Sequence, residues 1–469
     1  MIINRIILAL LGIFIALSIL LAQAPQKDLL ASDYSKQSAL KSPEWVKDAV
    51  IYCVYLRSFS QEGTFGALEK RLPELKGLGV SVLWLMPIHP VGVKNRKGSL
   101  GSPYSVRDYY TTNPEFGTMV DFQKLLSSAH KNKMRLIIDL VANHTAWDSK
   151  LISQHPEWFT RDSDGNIVSP NSDWTDVADL DYSKPGLRKY MLEMMEWWIK
   201  DIGIDGFRCD VSELVPLDFW EEARTRLDKI KPVMMLSEGS LPEQHLQAFD
   251  ITYAWNLHDA LYPLLTGKKP ASELDKILEE ESSRFPSGSL RLRFNTNHDK
   301  NAWDAPAVTK FGLDGLKLTA VLINTFPGIP LLYNGEEVAN NKILSLFEKV
   351  EIDWNRLREM DTLYRTLFLL RQNHKALSRG NLLKIPTPID NDVYAFFRTD
   401  AKDNIFTILN FSNAIQSFDL QIPFDALFGK KNKVKMKEVF TNSTLTFERG
   451  KTHSISIAPH GYQIFTVDK

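Results

Sequence analysis

The heptapeptide DGFRCDV, Asp205 to Val211, sets an arginine and an aspartate two positions apart in an otherwise apolar run. Side chains alternate between the faces of a β-strand, so Arg208 and Asp210 share one face and Cys209 takes the other. Such a pair is either a structural ion pair or part of a reaction centre. Further apolar runs end in residues of the same kind: Asp139 leading into Asn143-His144, then Glu238, then Asn297-His298-Asp299. Taken singly, an aspartate in such a place caps a helix, and a histidine hydrogen-bonds within its own loop. Taken together, Asp210, Glu238 and Asp299 with Arg208, His144 and His298 load four strand ends. These are the residue types of proton transfer and nucleophilic attack, and caps do not account for them.

Residues so far apart in sequence need a scaffold that gathers them. Eight strand-like segments run from Val50 to about Tyr333: VIYCVYL, VSVLWLM, MRLIIDL, IDGFRCD, PVMMLSE, FDITYAW, LRLRFNT and IPLLYNG. Between them lie stretches with apolar residues at helical spacing, including Phe65–Leu78, Met119–Lys131 and Arg188–Asp201. This alternation predicts an α/β fold, a (β/α)8 TIM barrel over residues 43–375, with the reactive residues at the C-terminal ends of its strands. One connection breaks the rhythm. After the third strand, about forty residues rich in Asp, Ser, Gly and Pro pass without helical periodicity, and loops that long are usually functional. Residues 145–186 are therefore expected to form an inserted excursion that walls one side of the site. From residue 378 to 469 the texture becomes alternating strands and turns, which predicts a C-terminal antiparallel β-sandwich.

Composition narrows the partners. The chain has 469 residues, 44% of them hydrophobic and 24% charged, with a net charge of −1. There is no basic surplus to attract nucleic acid or anionic lipid, and a neutral substrate fits better. Met1–Ala24 has one cation, an apolar run from Ile6 to Leu21 and a small-x-small AQA. That is the pattern of a secretory signal peptide, so export to the periplasm or the medium is expected. Pro25 disfavours a cut after Ala24, and an uncleaved membrane anchor is the alternative. Cys53 and Cys209 sit in separate apolar strands and read as buried packing residues.

The motifs DLVANH (139–144), GFRCD (206–210), SEG around Glu238 and NHD (297–299) resemble those of the α-amylase superfamily of glycoside hydrolases. VYLRSF, DLDYSKPGLR and PGIPLLYNGEE add looser matches. The resemblance implies cleavage of α-glucosidic bonds in α-glucans or malto-oligosaccharides with retention of configuration. That reaction uses two carboxyl groups about 5–5.5 Å apart. By this resemblance Asp210 is the nucleophile, Glu238 the general acid/base and Asp299 the third carboxylate that stabilises the transition state. Arg208, His144, His298, Tyr104 and Asp139 are implied to surround the sugar, with Asp139 more a brace for Arg208 than a substrate contact. Arg208 is expected to hold the pKa of Asp210 low, and burial to raise that of Glu238.

Several positions depart from the family pattern. SQEGTFGALEKRL replaces the acidic calcium loop that many members carry after the first strand. Asn143 and the DSDGN loop (162–166) keep calcium as a candidate ion, but that loop lacks the length and terminal Glu of a calcium loop. No cofactor is expected to be required. Val211-Ser212-Glu213 stands where α-amylases have a lysine-histidine pair, and KNAW follows NHD. Trp147, Trp174 and Trp303 are candidate sugar platforms. A transglycosidase, and a non-catalytic membrane-anchored member, are the alternatives to a hydrolase.

Overall fold

The computed structural model describes residues 33–401 and 403–467, so Met1–Ala24, the expected signal peptide or anchor, lies outside the described residues. Among those described, no helix is long and apolar enough to cross a membrane. Eight parallel strands close into a barrel: β1 (Ile51–Val54), β2 (Val82–Leu85), β3 (Arg135–Leu140), β4 (Gly206–Cys209), β5 (Met234–Ser237), β6 (Ile251–Tyr253), β7 (Leu290–Arg293) and β8 (Ile329–Tyr333). Each pairs with its neighbours in sequence, and β8 closes onto β1. All eight expected strands are present.

The strands are apolar on both faces because each face meets a different core. Ile51, Cys53, Trp84, Ile137, Leu236, Tyr253 and Leu331 fill the barrel interior. Tyr52, Val54, Leu83, Phe207 and Cys209 face the surrounding helices. The two cysteines are free and buried, one on each side of the barrel wall. The helices start where local chemistry stops the strand habit. Thr118 and Asp121 cap Met119–Lys131 reciprocally, and Pro185 presets the first turn of Pro185–Trp197.

The excursion differs from its expected form. Its base is a short antiparallel pair, His144–Ala146 against Val177–Asp179. It also contains a helix, Lys150–Gln154, and a 3-10 turn, Pro156–Trp158, where no helix was expected before Arg188. Five residues are too few to display a helical period, which is why this helix is invisible in the sequence pattern. Beyond the helix Arg358–Asn373, eight antiparallel strands from Asn381 to Val467 form a six-stranded and a two-stranded sheet. The two share one core that includes Phe397, Phe406, Phe418, Ile455 and Phe465, which is the expected C-terminal β-domain.

Gly206, which opens β4, is required by close approach. Its φ is +148°, and a Cβ on it would collide with the carbonyl oxygen of Met234 on β5. This glycine fixes the spacing of β4 and β5, the strands that end beside Asp210 and Glu238. Gly206→Ala is therefore expected to cost about 3 kcal/mol or more, measured as the shift in the urea unfolding midpoint. A loss below about 0.5 kcal/mol would show that the two strands can move apart freely.

Candidate active site

The strand register builds the floor of the site. Asp139 on β3 and Arg208 on β4 are paired neighbours, both facing into the barrel. Arg208 has no exposed surface. Its Nη1 donates to Asp139 Oδ1 at 2.8 Å and to Asp210 Oδ1 at 2.7 Å. Its Nη2 lies 2.6 Å from Glu238 Oε1, a charge contact whose angle is not that of a hydrogen bond. One guanidinium thus links carboxylates from the ends of three strands. Below it the Trp84 ring lies 5.1 Å from the cation, and Trp84 Nε1 donates to Asp139 Oδ2 at 3.2 Å.

β4 ends at Cys209, and the chain turns sharply after Asp210. Val211 adopts φ +36°, ψ +46°, a left-handed conformation that is a genuine outlier for a β-branched residue. The turn aims the Val211 N–H at Glu238 Oε2, 2.8 Å away. Ser212 and Glu213 face away from the barrel axis. Ser212 Oγ shares a hydrogen bond with Ser237 Oγ at 2.6 Å. Glu213 accepts from the backbone of Ser240 at 2.6 Å and Leu241 at 3.2 Å, bracing the loop after Glu238. In NHD, Asn297 caps the helix His298–Trp303 by accepting from Lys300 N, which sets His298 and Asp299 in the first turn. His298 Nε2 is 3.4 Å from Asp299 Oδ2 and 2.6 Å from the Tyr104 hydroxyl. The Tyr104 and His298 rings stack at 5.4 Å.

A cleft of about 450 Å³ opens over this floor, and Tyr104, His144, Asp210, Glu238, His298 and Asp299 all line it. Asp139 and Arg208 lie beneath it. Trp174, tilted on His144 at 5.3 Å, and Trp303, 65% exposed, stand at its walls. Trp147 is outside it, with its Nε1 donating to Thr175 O. Lys97, Leu346 and Phe347 also line the cleft and were not anticipated. Lys97 sits in VKNRKGSLG, just ahead of the GSPYSVRDYY that drew attention to Tyr104, but nothing in its local pattern marks it.

Electrostatics correct one expectation. Burial pushes Asp210 up to about 7, reinforced by Asp139 and Asp299, and Arg208 offsets only part of this. The arginine is shared among several carboxylates, so it cannot hold Asp210 low as expected. Burial pushes Glu238 higher, to about 8, with Asp210 and Asp299 adding to the rise against Arg208. Burial thus favours the protonated form of both carboxyls. Burial lowers His144 and His298 to about 4, so both imidazoles are neutral near pH 7.

The side chains that made calcium a candidate ion are engaged within the protein. The Asn143 amide nitrogen faces Asp179 Oδ1 at 3.4 Å. Asp162 turns its Oδ1 onto the Asp164 and Asn166 amides of its own loop. Among the described residues, no three His, Cys, Asp or Glu side chains converge as a metal cage.

A (β/α)8 barrel whose C-terminal mouth gathers Asp210, Glu238 and Asp299 over one buried arginine is the architecture of a barrel glycosidase. The chain belongs to the α-amylase family of glycoside hydrolases: residues 51–367 match the family's catalytic domain. It is 33% identical to a noncanonic maltogenic α-amylase from Thermotoga neapolitana, with a TM-score of 0.82 over 90% of this chain and 99% of that one. An α-amylase from Lactobacillus plantarum is 28% identical, with a TM-score of 0.79 over 90% and 99% of the two chains. An α-amylase from Haloarcula japonica is 26% identical over 79% of this chain, which spans 56% of that protein's length.

The raised Glu238 pKa has a consequence for stability. Between about pH 4.5 and about 8 the folded state holds a proton on Glu238 that the unfolded state has lost, so stability falls as pH rises through that window. Glu238→Gln removes this dependence. Its melting temperature relative to wild type is expected to rise between pH 5 and pH 8; a constant difference across that range would contradict the assignment.

Proposed function

We propose that the protein cleaves α-glucosidic bonds in α-glucans or malto-oligosaccharides with retention, through a covalent glycosyl-enzyme. The observation that carries this reading is the bridge by which a single guanidinium links Asp210 to Glu238 at the cleft floor. Two carboxyls gathered by one guanidinium suit a nucleophile and a proton donor acting on one bond.

In its ionised form Asp210, oriented by Arg208 Nη1, attacks the anomeric carbon from below. As that bond forms, the glycosidic C–O bond breaks, and the departing oxygen takes the proton held on Glu238. The Glu238 carboxylate left behind then accepts a proton from water. The hydroxide equivalent attacks the anomeric carbon, releasing Asp210 and restoring the proton on Glu238. Positive charge on the sugar ring grows in both steps. Asp299 stabilises it from the cleft wall, and neutral His144 and His298 bind ring hydroxyls without adding an opposing cation. Tyr104, held by His298 and by Asp139 Oδ2 at 3.2 Å, presents its ring to the sugar face. The signal-like pattern of Met1–Ala24 supports export, as a cleaved or a membrane-anchored protein, which suits a substrate found outside the cell.

Incubation with maltoheptaose and pullulan, with the first-released anomer followed by proton NMR, tests the reading. An initial α-anomer is expected, and an initial β-anomer overturns it. Asp210→Asn should lose at least about three orders of magnitude in kcat. Glu238→Gln should recover activity on aryl or fluoride leaving groups, which need no proton. Activity of Asp210→Asn within about tenfold of wild type would remove Asp210 from the nucleophile role.

A further inference from the structure

The segment between Val91 and Gly101, in the connection after β2, is tied to both of its neighbours above the cleft. Toward the connection after β8, Leu100 N donates to Phe347 O at 3.0 Å, and Ser99 N donates to Glu348 Oε1 at 2.7 Å. Arg57, 3% exposed, locks the same seam. Its Nη1 donates to Gly101 O at 2.6 Å and Leu346 O at 3.2 Å, and its Nη2 to Leu100 O at 3.0 Å. Toward the excursion after β3, Lys97 Nζ donates to Asp173 O at 2.5 Å and pairs with Asp176 Oδ1 at 3.2 Å. Val93 N donates to Asp148 Oδ1 at 3.1 Å. Connections from β8, β2 and β3 are thus joined into one continuous wall, and Lys97, Asp173, Asp176 and Phe347 present it to the cleft.

The opposite side is built differently. The connection after β5 carries Glu238, and none of the bonds that join the wall reaches it. The proton on Glu238 must face the leaving group, so the departing part of the substrate lies toward the connection after β5. The sugar attacked by Asp210 then points its non-reducing end at the wall.

Resting on the glycosidase reading above, we propose that this wall, clasped by Lys97, makes the enzyme chain-end-directed. The cleft accepts the non-reducing end of an α-glucan and excludes chains that continue beyond it. Lys97 is the specificity-determining residue, because its single ammonium joins the segment to the excursion through both a carbonyl and the nearly buried Asp176 carboxylate, 7% exposed.

The full chain should be compared on p-nitrophenyl α-maltoheptaoside and on the same compound with its terminal 4- and 6-hydroxyls bridged by an ethylidene group, with all products separated chromatographically. The wild type is expected to favour the free end by about 100-fold or more in kcat/KM. Lys97→Ala and Asp176→Asn should each reduce that preference by about tenfold, through a gain on the blocked substrate, with an unchanged unfolding midpoint as the control for folding. Equal wild-type rates on the two substrates overturn the chain-end proposal while leaving the glycosidase reading intact. An unaltered preference in both variants removes the role of Lys97. Cleavage of neither substrate overturns the glycosidase reading and the proposal with it.

Discussion

A guanidinium with no exposed surface has to be compensated where it sits, and the compensation of Arg208 organises the mouth of this barrel. Removing both partners of a buried pair can be neutral, but leaving one charge alone costs several kcal/mol. Arg208 meets Asp139, Asp210 and Glu238 at 2.8, 2.7 and 2.6 Å. The three carboxylates outnumber it, so the cluster is charged beyond neutrality unless protons remain. Burial is the main cause of the raised Asp210 and Glu238 pKa values, and the neighbouring carboxylates add to it. One arginine thus holds both carboxyls together at the cleft floor.

The scaffold serves this cluster at several levels. Gly206 lets β4 and β5 approach closely enough for one arginine to reach both strand ends. The register of β3 against β4 puts Asp139 beside Arg208. The strained turn at Val211 spends backbone energy to bring an N–H to Glu238, and strain of this kind persists only where the surroundings enforce it. Above the floor, connections from β2, β3 and β8 are joined by Lys97, Ser99 and Arg57 into a wall. The carboxylates sit at the strand ends, and the connections build the walls of the cleft above them.

Much of this was legible in the sequence, for physical reasons. Eight apolar runs separated by amphipathic helices specify a barrel, and a barrel exposes its strand ends at one face, so Asp210, Glu238, His298 and Asp299 could be placed together from their positions alone. The α-amylase resemblance supplied their roles. What escaped was whatever depends on contacts between segments distant in sequence. The net pKa direction of Asp210 depends on how many carboxylates share Arg208, and no motif records that number. Lys97 and Phe347 lie in irregular connections without periodicity, and only their mutual contacts make them part of the cleft. The helix Lys150–Gln154 is too short to show a period. Val211 was visible as a departure from the family, but its left-handed backbone was not.

Catalysis as proposed requires Asp210 to be the nucleophile that bonds to the sugar, with Arg208 and Glu238 arranged around that event. The most direct measurement is to trap the covalent intermediate with 5-fluoro-α-glucosyl fluoride, which reacts through a good leaving group and then turns over slowly. The protein is digested and its peptides mapped by mass spectrometry. One added fluoroglucosyl unit on Asp210 is the predicted result. A label on another carboxylate, or fluoride release with no covalent adduct at any time, would contradict it.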